Sequence, residues 1–489
     1  MASTRNSPRA ESAVRRQSQS AHAAPNLQDP AFSPVQPGKL VALGEDTAVK
    51  TVSTVVASAA REFVVPGSRV AVALSGGLDS MVLLDALSQM GAQHPFELRA
   101  VHVNHGLSPN AKTWADFCTT QCAARDVPLE VHSLTLDRKR ANLEATARAG
   151  RYDRLCASDA DVIALAHHAD DQAETVLLQL LRGAGTRGLS AMPRFRTGKP
   201  ALLRPLLGIT RATLGAYAAA RSVAWIDDES NAERRHKRNF LRHDIAPLLA
   251  AHFPGYPGTL ARAAELQAES SELLDALAAH DGDGAYDASG LERARLIALS
   301  PARARNLLRW FLHRHGLKPP SQARLAEMLR QLVAASPDAR TRIAHDGAEL
   351  GYHCGRIALH APTAGGFSRV WHGEREVVLP GGVLLLRNAR GDGVSAAKLE
   401  QADVTLRSRV GGERIQLAAN RPRRALKRLL QEANMPLWVR AGLPLLWYGD
   451  ELAAVPGIGV ALAYRAAPDE PGLTLDWRPE KPVSDTVID

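Results

Sequence analysis

Cysteine is scarce in this 489-residue chain, which limits the covalent and metal sites that it can build. The four cysteines are Cys118, Cys122, Cys156 and Cys354. No two of them are spaced C-x-x-C and no metal-type histidine pair lies near them, so a disulfide scaffold and a zinc ribbon are both disfavoured. Reduced thiols in a cytosol are the simpler interpretation. The spacing of the first two predicts packing on one face of a helix.

Long apolar runs are also missing. No segment has the ~18 uninterrupted apolar residues that a membrane span requires, because the best candidate, 443–463, is interrupted by Asp450, Glu451 and Pro456. No apolar signal-peptide core follows Met1. These absences predict a cytoplasmic protein without a membrane partner.

Negative charge is the minority sign. The chain has 60 Lys and Arg against 51 Asp and Glu, a formal net charge of +9. This excess fits a polyanionic partner, although basic charge also serves solubility. A chain of this length is too long to fold around a single compact core, so we expect roughly two to four domains.

Residues 1–50 are predicted to be a disordered extension, because their first part is rich in Ser, Ala, Arg, Gln and Pro. Such a composition can also resemble an organelle transit peptide. Glu11 and Asp29 interrupt it and no clear amphipathic face forms, so disorder is the favoured interpretation.

Residues 51–250 alternate short apolar strands with helical stretches, which predicts an α/β fold with a parallel sheet. The predicted strands are Arg69–Leu74, Leu98–Val103, Leu129–Leu136 and Asp161–Ala166, and the predicted helices are Asp79–Met90, Leu143–Ala157 and Asp171–Leu181. Ligands of such sheets bind at the carboxyl ends of the strands. Residues 251–365 predict a helical domain, 366–400 a strand-rich connector, and 401–480 a small α+β domain.

A glycine-rich loop follows the first predicted strand. It consists of Ser75, Gly76, Gly77, Leu78, Asp79 and Ser80. Glycines allow close approach to a ligand, and the free N–H groups at the start of the next helix favour anions. Asp79 can position a metal ion that neutralises phosphate charge. The alternative is a plain turn in which Asp79 caps the helix, but the strand–loop–helix context favours phosphate binding.

Other glycine motifs are absent or out of context. No Walker sequence occurs, and the G-x-G-x-x-G pattern at 183–188 follows a helix rather than a strand, so a dinucleotide site is excluded there. The loop at 75–80 resembles the S-G-G-x-D-S pyrophosphate loop of the N-type ATP pyrophosphatases. The resemblance implies a Rossmann-like domain that attacks the α-phosphate of ATP and releases pyrophosphate.

Two polar clusters leave alternatives open. Asp170, Asp171 and Glu174 form an acidic group at a helix start, and Asp171-x-x-Glu174 also fits a capping box. Glu144 and Arg148 are four apart on a predicted helix, which suits a surface ion pair. His167 and His168 are not predicted to bind a metal, because no third ligand is suitably spaced.

Further segments narrow the resemblance. The matching segments are 102–108, 142–152, 165–175, 204–207, 227–231, 238–242 and 407–446. Together they resemble the tRNA(Ile)-lysidine synthetase family in its three-domain version. Gly412-Glu413 departs from the family's usual Gly-Asp.

This resemblance implies a ligase that uses ATP and Mg²⁺. Its partners would be L-lysine and an isoleucine tRNA with a CAU anticodon, whose wobble cytidine becomes lysidine through an adenylated intermediate. The implied catalytic residues are Asp79, Glu144, Arg204 and Asp171. The loop at 75–80 and His105 would hold ATP, Asp79 would bind Mg²⁺, and lysine or Mg²⁺ would be held by Asp170, Asp171, Glu174, Glu144 and Arg148. For Arg204 the alternative is a loop anchor.

Two basic clusters are candidate tRNA contacts, although basic runs are usually solvated faces. They consist of Arg234, Arg235, Lys237, Arg238 and Arg242, and of Arg421, Arg423, Arg424, Lys427 and Arg428. The main alternative function is a tRNA sulfur transferase on the same fold, which typically needs a cysteine pair that this chain lacks. An RNA-binding protein with a decayed loop and a small-molecule amidotransferase are further alternatives. The sequence leaves the assembly open, with a homodimer as one candidate.

Overall fold

The computed structural model describes residues 44–90, 96–104, 110–134, 143–226, 237–335, 341–362, 365–401 and 403–480, with only the backbone for 143–145. The chain divides into two compact units, Met1–Glu269 and Ser270–Asp489. Within the described ranges, no helix is both long and apolar enough to cross a membrane.

The first unit is built on a six-stranded sheet with the order β3-β2-β1-β4-β6-β5. Its strands are β1 Arg69–Ala73, β2 Glu97–Asn104, β3 Leu129–Ser133, β4 Val162–Ala164, β5 Phe195–Arg196 and β6 Ala201–Leu203. All neighbours pair in parallel except β5, which is antiparallel at the edge. The chain places β2 and β3 on one side of β1, and β4 and β6 on the other. The predicted parallel sheet is therefore confirmed, with a point between β1 and β4 where the strand order reverses.

Helices cover both faces of this sheet. The helices between residues 45 and 282 are α1 Glu45–Phe63, α2 Leu78–Ser88, α3 Ala111–Ala123, α4 Leu143–Cys156, α5 Ala169–Leu181, α6 Thr186–Leu189, α7 Arg211–Ala220, α8 Lys237–Phe240, α9 Ala246–His252 and α10 Tyr256–Gly282, with a π-helical turn at Leu241–Ile245. The main core contains apolar residues of α1, α2, α7 and the sheet. Cys118 and Cys122 are buried in α3, as their spacing predicts.

The predicted N-terminal extension needs a correction. Glu45 begins α1, and Ala48 is fully buried in that helix. Residues 45–50 therefore belong to the folded unit. They form the first turns of α1, whose buried face consists of small alanine and valine side chains that give only a weak helical pattern in the sequence. Residues 1–43 lie outside the described part of the chain.

The second unit begins with helices and a sheet together. The helices are α11 Arg293–Ala298, α12 Pro301–Arg314 and α13 Gln322–Ala334. They share one core with an antiparallel sheet of β7 Tyr286–Asp287, β8 Gly290–Glu292, β9 Arg342–His345, β10 Ala348–His353 and β11 Arg356–His360. The prediction that residues 251–365 are helical is therefore incomplete, because this region also contains a five-stranded sheet. Its strands are short and most of them follow a long helical stretch, so the sequence pattern did not reveal them.

The remaining strands form two larger sheets and a small pair. They are β12 Ser368–Val370, β13 Glu376–Leu379, β14 Gly382–Arg390, β15 Val394–Ser395, β16 Val404–Arg407, β17 Arg414–Ile415, β18 Arg424–Ala425, β19 Leu445–Tyr448, β20 Glu451–Val455, β21 Gly459–Val460 and β22 Pro471–Pro479, with helices α14 Ala396–Leu399, α15 Leu426–Glu432 and α16 Leu437–Gly442. The larger sheets have the orders β12-β16-β19-β20-β21 and β13-β14-β22-β15.

The segment 366–400, predicted as a connector, does not stand apart from 401–480. β12 pairs with β16, and the whole of β14 pairs with β22. Apolar residues of both segments share one core. The physical reason is that a lone sheet edge leaves backbone groups unpaired, and the later strands pair with them.

Candidate active site

The glycine-rich loop lies directly between β1 and α2. Gly76 has φ +86°, and a Cβ there would lie 2.9 Å from Ile226 Cδ1 and 3.2 Å from Cys118 Sγ. The Ile226 backbone N–H donates to the Gly76 carbonyl at 3.0 Å. The position therefore requires glycine for both its conformation and its close contacts.

Serine side chains brace the loop from within. Ser80 Oγ donates to the Gly77 carbonyl at 3.0 Å and lies 3.0 Å from Ser75 Oγ. Gly77 is the N-cap of α2 and provides no side-chain cap for the first turn. The N–H groups at that helix start are therefore available to an anion, and the helix dipole favours one.

A cavity of about 320 Å³ opens at the carboxyl ends of β1, β2 and β4. It is lined by the loop, by Val101–Asn104 at the end of β2, by Leu165–His167 after β4, and by Trp114, Arg151 and Arg242. It lies beside the point where the strand order reverses, the usual ligand position in an open α/β sheet. Its volume falls in the range of roughly 300–1,000 Å³ found for small-ligand pockets.

His168 joins the loop to the acidic cluster. Its buried ring places Nε2 at 3.6 Å from Asp79 Oδ2 and 3.4 Å from Asp171 Oδ2, with Nδ1 at 3.5 Å from Asp170 Oδ2. Burial disfavours the imidazolium, but the surrounding carboxylates prevail and raise the pKa of His168 to about 10. The ring is therefore cationic at neutral pH and holds Asp79 at the mouth of the loop.

Asp79 fits the role of a magnesium ligand. Its Oδ1 is buried and has no hydrogen-bond partner among the described residues. A carboxylate oxygen is a ligand that Mg²⁺ prefers, and Mg²⁺ usually takes only one or two carboxylates beside phosphate oxygens. In the part of the chain that the structure describes, no group of three or more His, Cys, Asp or Glu side chains is arranged for a metal.

The acidic cluster is paired with arginines from later in the chain. Arg242 Nε donates to Glu174 Oε1 at 2.7 Å, and Arg238 Nε donates to Glu174 Oε2 at 2.7 Å. Asp171 Oδ1 accepts from both guanidinium groups at 3.0 and 3.1 Å. Asp171 also accepts the backbone N–H of His168 and completes a capping box for α5. The capping box is thus formed by His168 and Asp171 rather than by the predicted Asp171 and Glu174, because α5 begins at Ala169.

Asp170, unlike Asp171 and Glu174, hydrogen-bonds to the backbone of α7. Its Oδ2 accepts the backbone N–H of Arg211 at 2.8 Å, which fastens the start of α7. Burial opposes its charge, but His168 and this hydrogen bond hold the pKa of Asp170 below its ordinary value.

Arg204 is only 3% exposed and has protein partners. Its Nη1 donates to the Pro193 carbonyl at 2.8 Å, and its Nε donates to His167 Nδ1 at 3.3 Å. Burial, chiefly, lowers the pKa of His167 to about 3, so His167 is neutral and can accept. These contacts match the loop-anchor alternative for Arg204.

Several predicted site residues cannot be placed or lie outside the cavity. His105, Arg234 and Arg235 lie outside the described residues, and Glu144 is placed on α4 by its backbone alone. Arg148 is exposed, with its guanidinium 5.8 Å from the Tyr152 ring centroid. Lys237 is exposed at the start of α8.

The second basic cluster lies on the second unit. Arg423 pairs with Glu451 at 3.1 Å, and Arg424 pairs with Glu432. Arg421, Lys427 and Arg428 are exposed and have no ion pair within the described ranges.

Sequence reasoning missed three roles in the site. For His168 the sequence raises only metal binding, which it disfavours. It indicates no role for Ile226, and for Arg238 and Arg242 it indicates only contact with tRNA. The adjacent acidic residues were a signal for His168. The arginine pairing had no local signal, because 64 to 71 residues separate the partners.

Comparisons with known proteins agree with this architecture. The profile of the PP-loop domain matches residues 48–249, that of the TilS substrate binding domain matches 291–357, and that of the TilS substrate C-terminal domain matches 404–477. The tRNA(Ile)-lysidine synthase of Nitrosomonas europaea is 42% identical over 429 residues, which cover 85% of this chain and 93% of that protein. Those of Chromobacterium violaceum and Coxiella burnetii are 43% and 37% identical, over 84% and 85% of this chain and 95% and 94% of theirs. The chain therefore belongs to the tRNA(Ile)-lysidine synthase family.

Proposed function

We propose that this ligase adenylates the wobble cytidine of an isoleucine tRNA with a CAU anticodon and then joins L-lysine to it. The cytidine O2 would attack the α-phosphorus of ATP and release pyrophosphate. The ε-amine of lysine, after losing a proton, would attack C2 and expel AMP. Adenylation is needed because the cytidine oxygen is otherwise a poor leaving group. The modified tRNA would read the codon AUA. Thiolation, the alternative function on this fold, is not favoured, because the similar proteins are tRNA(Ile)-lysidine synthases.

The observation that carries the proposal is the loop at 75–80 opening into a cavity with the acidic cluster beside it. The uncapped start of α2 suits the pyrophosphate portion of ATP. Asp79, with its unpartnered Oδ1, would hold Mg²⁺, which would neutralise phosphate charge. Positioning and charge stabilisation then supply most of the rate.

For lysine we propose Asp171 and Glu174 as the carboxylates that hold its ammonium. Both residues are buried, so their charges need cations or hydrogen-bond donors beside them. Glu144 and Arg148, on α4, stay candidates for orienting lysine or the base.

For tRNA we propose contact through Arg421, Lys427 and Arg428. Exposed cations without carboxylate partners can neutralise phosphates, so the affinity should fall steeply as salt rises. An enzyme with these substrates would act in the cytoplasm, either as a single chain or as a homodimer.

The test is incorporation of radiolabelled lysine into an isoleucine tRNA transcript with a CAU anticodon, in the presence of ATP and Mg²⁺. Wild type should label the transcript, and Asp79→Ala should reduce labelling at least ~100-fold, because the phosphate charge is then left uncompensated. Asp116→Ala, which removes an exposed carboxylate on α3, is the matched control and should label normally. A folded wild type that releases pyrophosphate but never incorporates lysine would overturn the proposal and return attention to sulfur transfer.

A further inference from the structure

The carboxylates proposed for lysine are already occupied by the protein's own cations. Asp171 Oδ1 accepts from Arg238 Nη2 and Arg242 Nη2, and its Oδ2 accepts the backbone N–H of His168, with His168 Nε2 3.4 Å away. Glu174 Oε1 accepts from Arg242 Nε, and Oε2 accepts from Arg238 Nε and Arg242 Nη2. Among the described residues, these contacts leave one acceptor position on each carboxylate: Asp171 Oδ2, which His168 Nε2 faces, and Glu174 Oε1.

This occupancy conflicts with lysine binding. An ionised carboxylate offers about four acceptor positions, and an ammonium group brings three donors. A lysine ammonium cannot find its acceptors on Asp171 and Glu174 while both guanidinium groups remain there. At least one arginine has to leave before the cation site can open.

The two arginines are placed to exchange partners. Their side chains are 28% and 25% exposed, whereas those of Asp171 and Glu174 are 13% and 6% exposed. Arg242 also lines the cavity into which the proposed substrates would bring phosphate groups. Phosphate binds guanidinium in the same two-pronged manner as carboxylate, so an arriving anion offers an equivalent partner.

We propose that Arg238 and Arg242 are internal stand-ins for the lysine ammonium, which move to substrate phosphates when tRNA binds and thereby open Asp171 and Glu174 to lysine. The inference rests on the proposed function and adds an order of binding. The tRNA binds first and draws the arginines away, and lysine then binds to Asp171 and Glu174. By linkage the two affinities are coupled, so tRNA strengthens lysine binding by the factor by which lysine strengthens tRNA binding.

The experiment measures the dissociation constant of radiolabelled L-lysine by equilibrium dialysis, with and without tRNA transcript. For wild type we expect lysine to bind at least ~5-fold more tightly when tRNA is present, the lower end of typical coupling. Arg242→Gln should already bind lysine more tightly without tRNA, and its response to tRNA should shrink towards none. Arg238→Gln should behave in the same direction.

The matched control is Arg125→Gln. Arg125 donates to the buried carboxylate of Asp85, and neither residue lines the cavity, so its loss also removes an arginine partner from a buried acid. Its lysine affinity and its response to tRNA should equal those of wild type. If Arg242→Gln binds lysine no more tightly than Arg125→Gln does, the stand-in role is wrong.

The wild-type measurement decides the matter if both arginine variants fail to fold. Equal lysine affinity with and without tRNA, in an enzyme that incorporates lysine, would overturn the exchange but leave the proposed function intact. Absence of lysine incorporation by wild type would remove the proposed function and this inference with it.

Discussion

Gly76 is the residue at which the loop tolerates least change. Its φ of +86° is one that L side chains rarely adopt, and Ile226 and Cys118 fill the space where a Cβ would stand. The neighbouring Gly77 has an ordinary extended φ of −75° and more room. The two adjacent glycines therefore serve different purposes.

Gly76→Ala should strain the loop by about 1–3 kcal/mol and displace its N–H groups. We expect tRNA-dependent pyrophosphate release to fall at least ~10-fold, measured in steady state. Gly215→Ala is the control, since that glycine lies in α7 with nothing near its Cβ and alanine favours helix. If Gly76→Ala releases pyrophosphate as fast as wild type, the loop must accommodate the added Cβ without displacing its N–H groups.

His168 should make the stability of the catalytic unit depend on pH. The ordinary histidine pKa is about 6.5, and the carboxylates around the buried ring raise the pKa of His168 to about 10. Its contribution is therefore complete below about pH 6.5 and is lost as the pH rises through about 10. Thermal melting in magnesium-free buffer should show His168→Gln below wild type by at least ~2 °C at pH 6, with a smaller gap at pH 10.

His252→Gln, which changes an exposed histidine of α9, is the control and should melt with wild type at both pH values. A gap between His168→Gln and wild type that widens with rising pH would contradict the assigned charge.

At the scale of elements, Asp85 holds three helical segments together. Tyr217 Oη donates to its Oδ2 at 2.9 Å, Arg221 Nε donates to Oδ2 at 3.2 Å, and Arg125 donates twice to Oδ1. Burial, assisted by this carboxylate, raises the pKa of Tyr217. The network ties α2 to the ends of α7 and α3.

Asp85→Ala should destabilise the first unit by about 1–3 kcal/mol, because it leaves the buried Tyr217 hydroxyl without its acceptor. Hydrogen–deuterium exchange should rise in α2 and α7. Asp153→Ala, at an exposed position of α4, should leave exchange unchanged. Unaltered protection of α7 in Asp85→Ala would mean that apolar packing alone holds these helices.

At the scale of the whole molecule, an aromatic contact joins helix α16 to the sheet that contains β11. The ring of Trp438 in α16 stacks on His360 of β11, with centroids 4.7 Å apart and planes 6° apart. His353 Nε2 lies 2.8 Å from the Asn434 carbonyl beside it. A Cβ at Gly351 would overlap the Trp438 ring, so this contact depends on a glycine in β10.

Gly351→Ala should push Trp438 away and cost about 1–3 kcal/mol by overpacking. We expect faster hydrogen exchange at 434–440 and weaker tRNA binding, because Lys427 and Arg428, which lie on the nearby α15, are then less firmly held. Gly365→Ala, where nothing lies near the added Cβ, should change neither. Faster exchange with unchanged tRNA affinity would separate this contact from RNA recognition.

The sequence by itself determined the features that are contiguous along the chain. The loop at 75–80 could be predicted because a buried strand, two glycines and a helix start follow one another, and the parallel strands because their apolar runs alternate with helices. The helix start beside the acidic cluster was also a local signal, but its capping box was predicted three residues too late, at Asp171 and Glu174 instead of His168 and Asp171.

Only the tertiary structure decided which distant groups meet. Arg238 and Arg242 neutralise Asp171 and Glu174 across 64 to 71 residues, and β14 pairs with β22 across the intervening strands. Charge and strand propensity say that such groups need partners but do not say which ones. The choice follows from the folded chain, because burial makes an unpaired carboxylate or an open sheet edge costly and only the groups nearby can satisfy it.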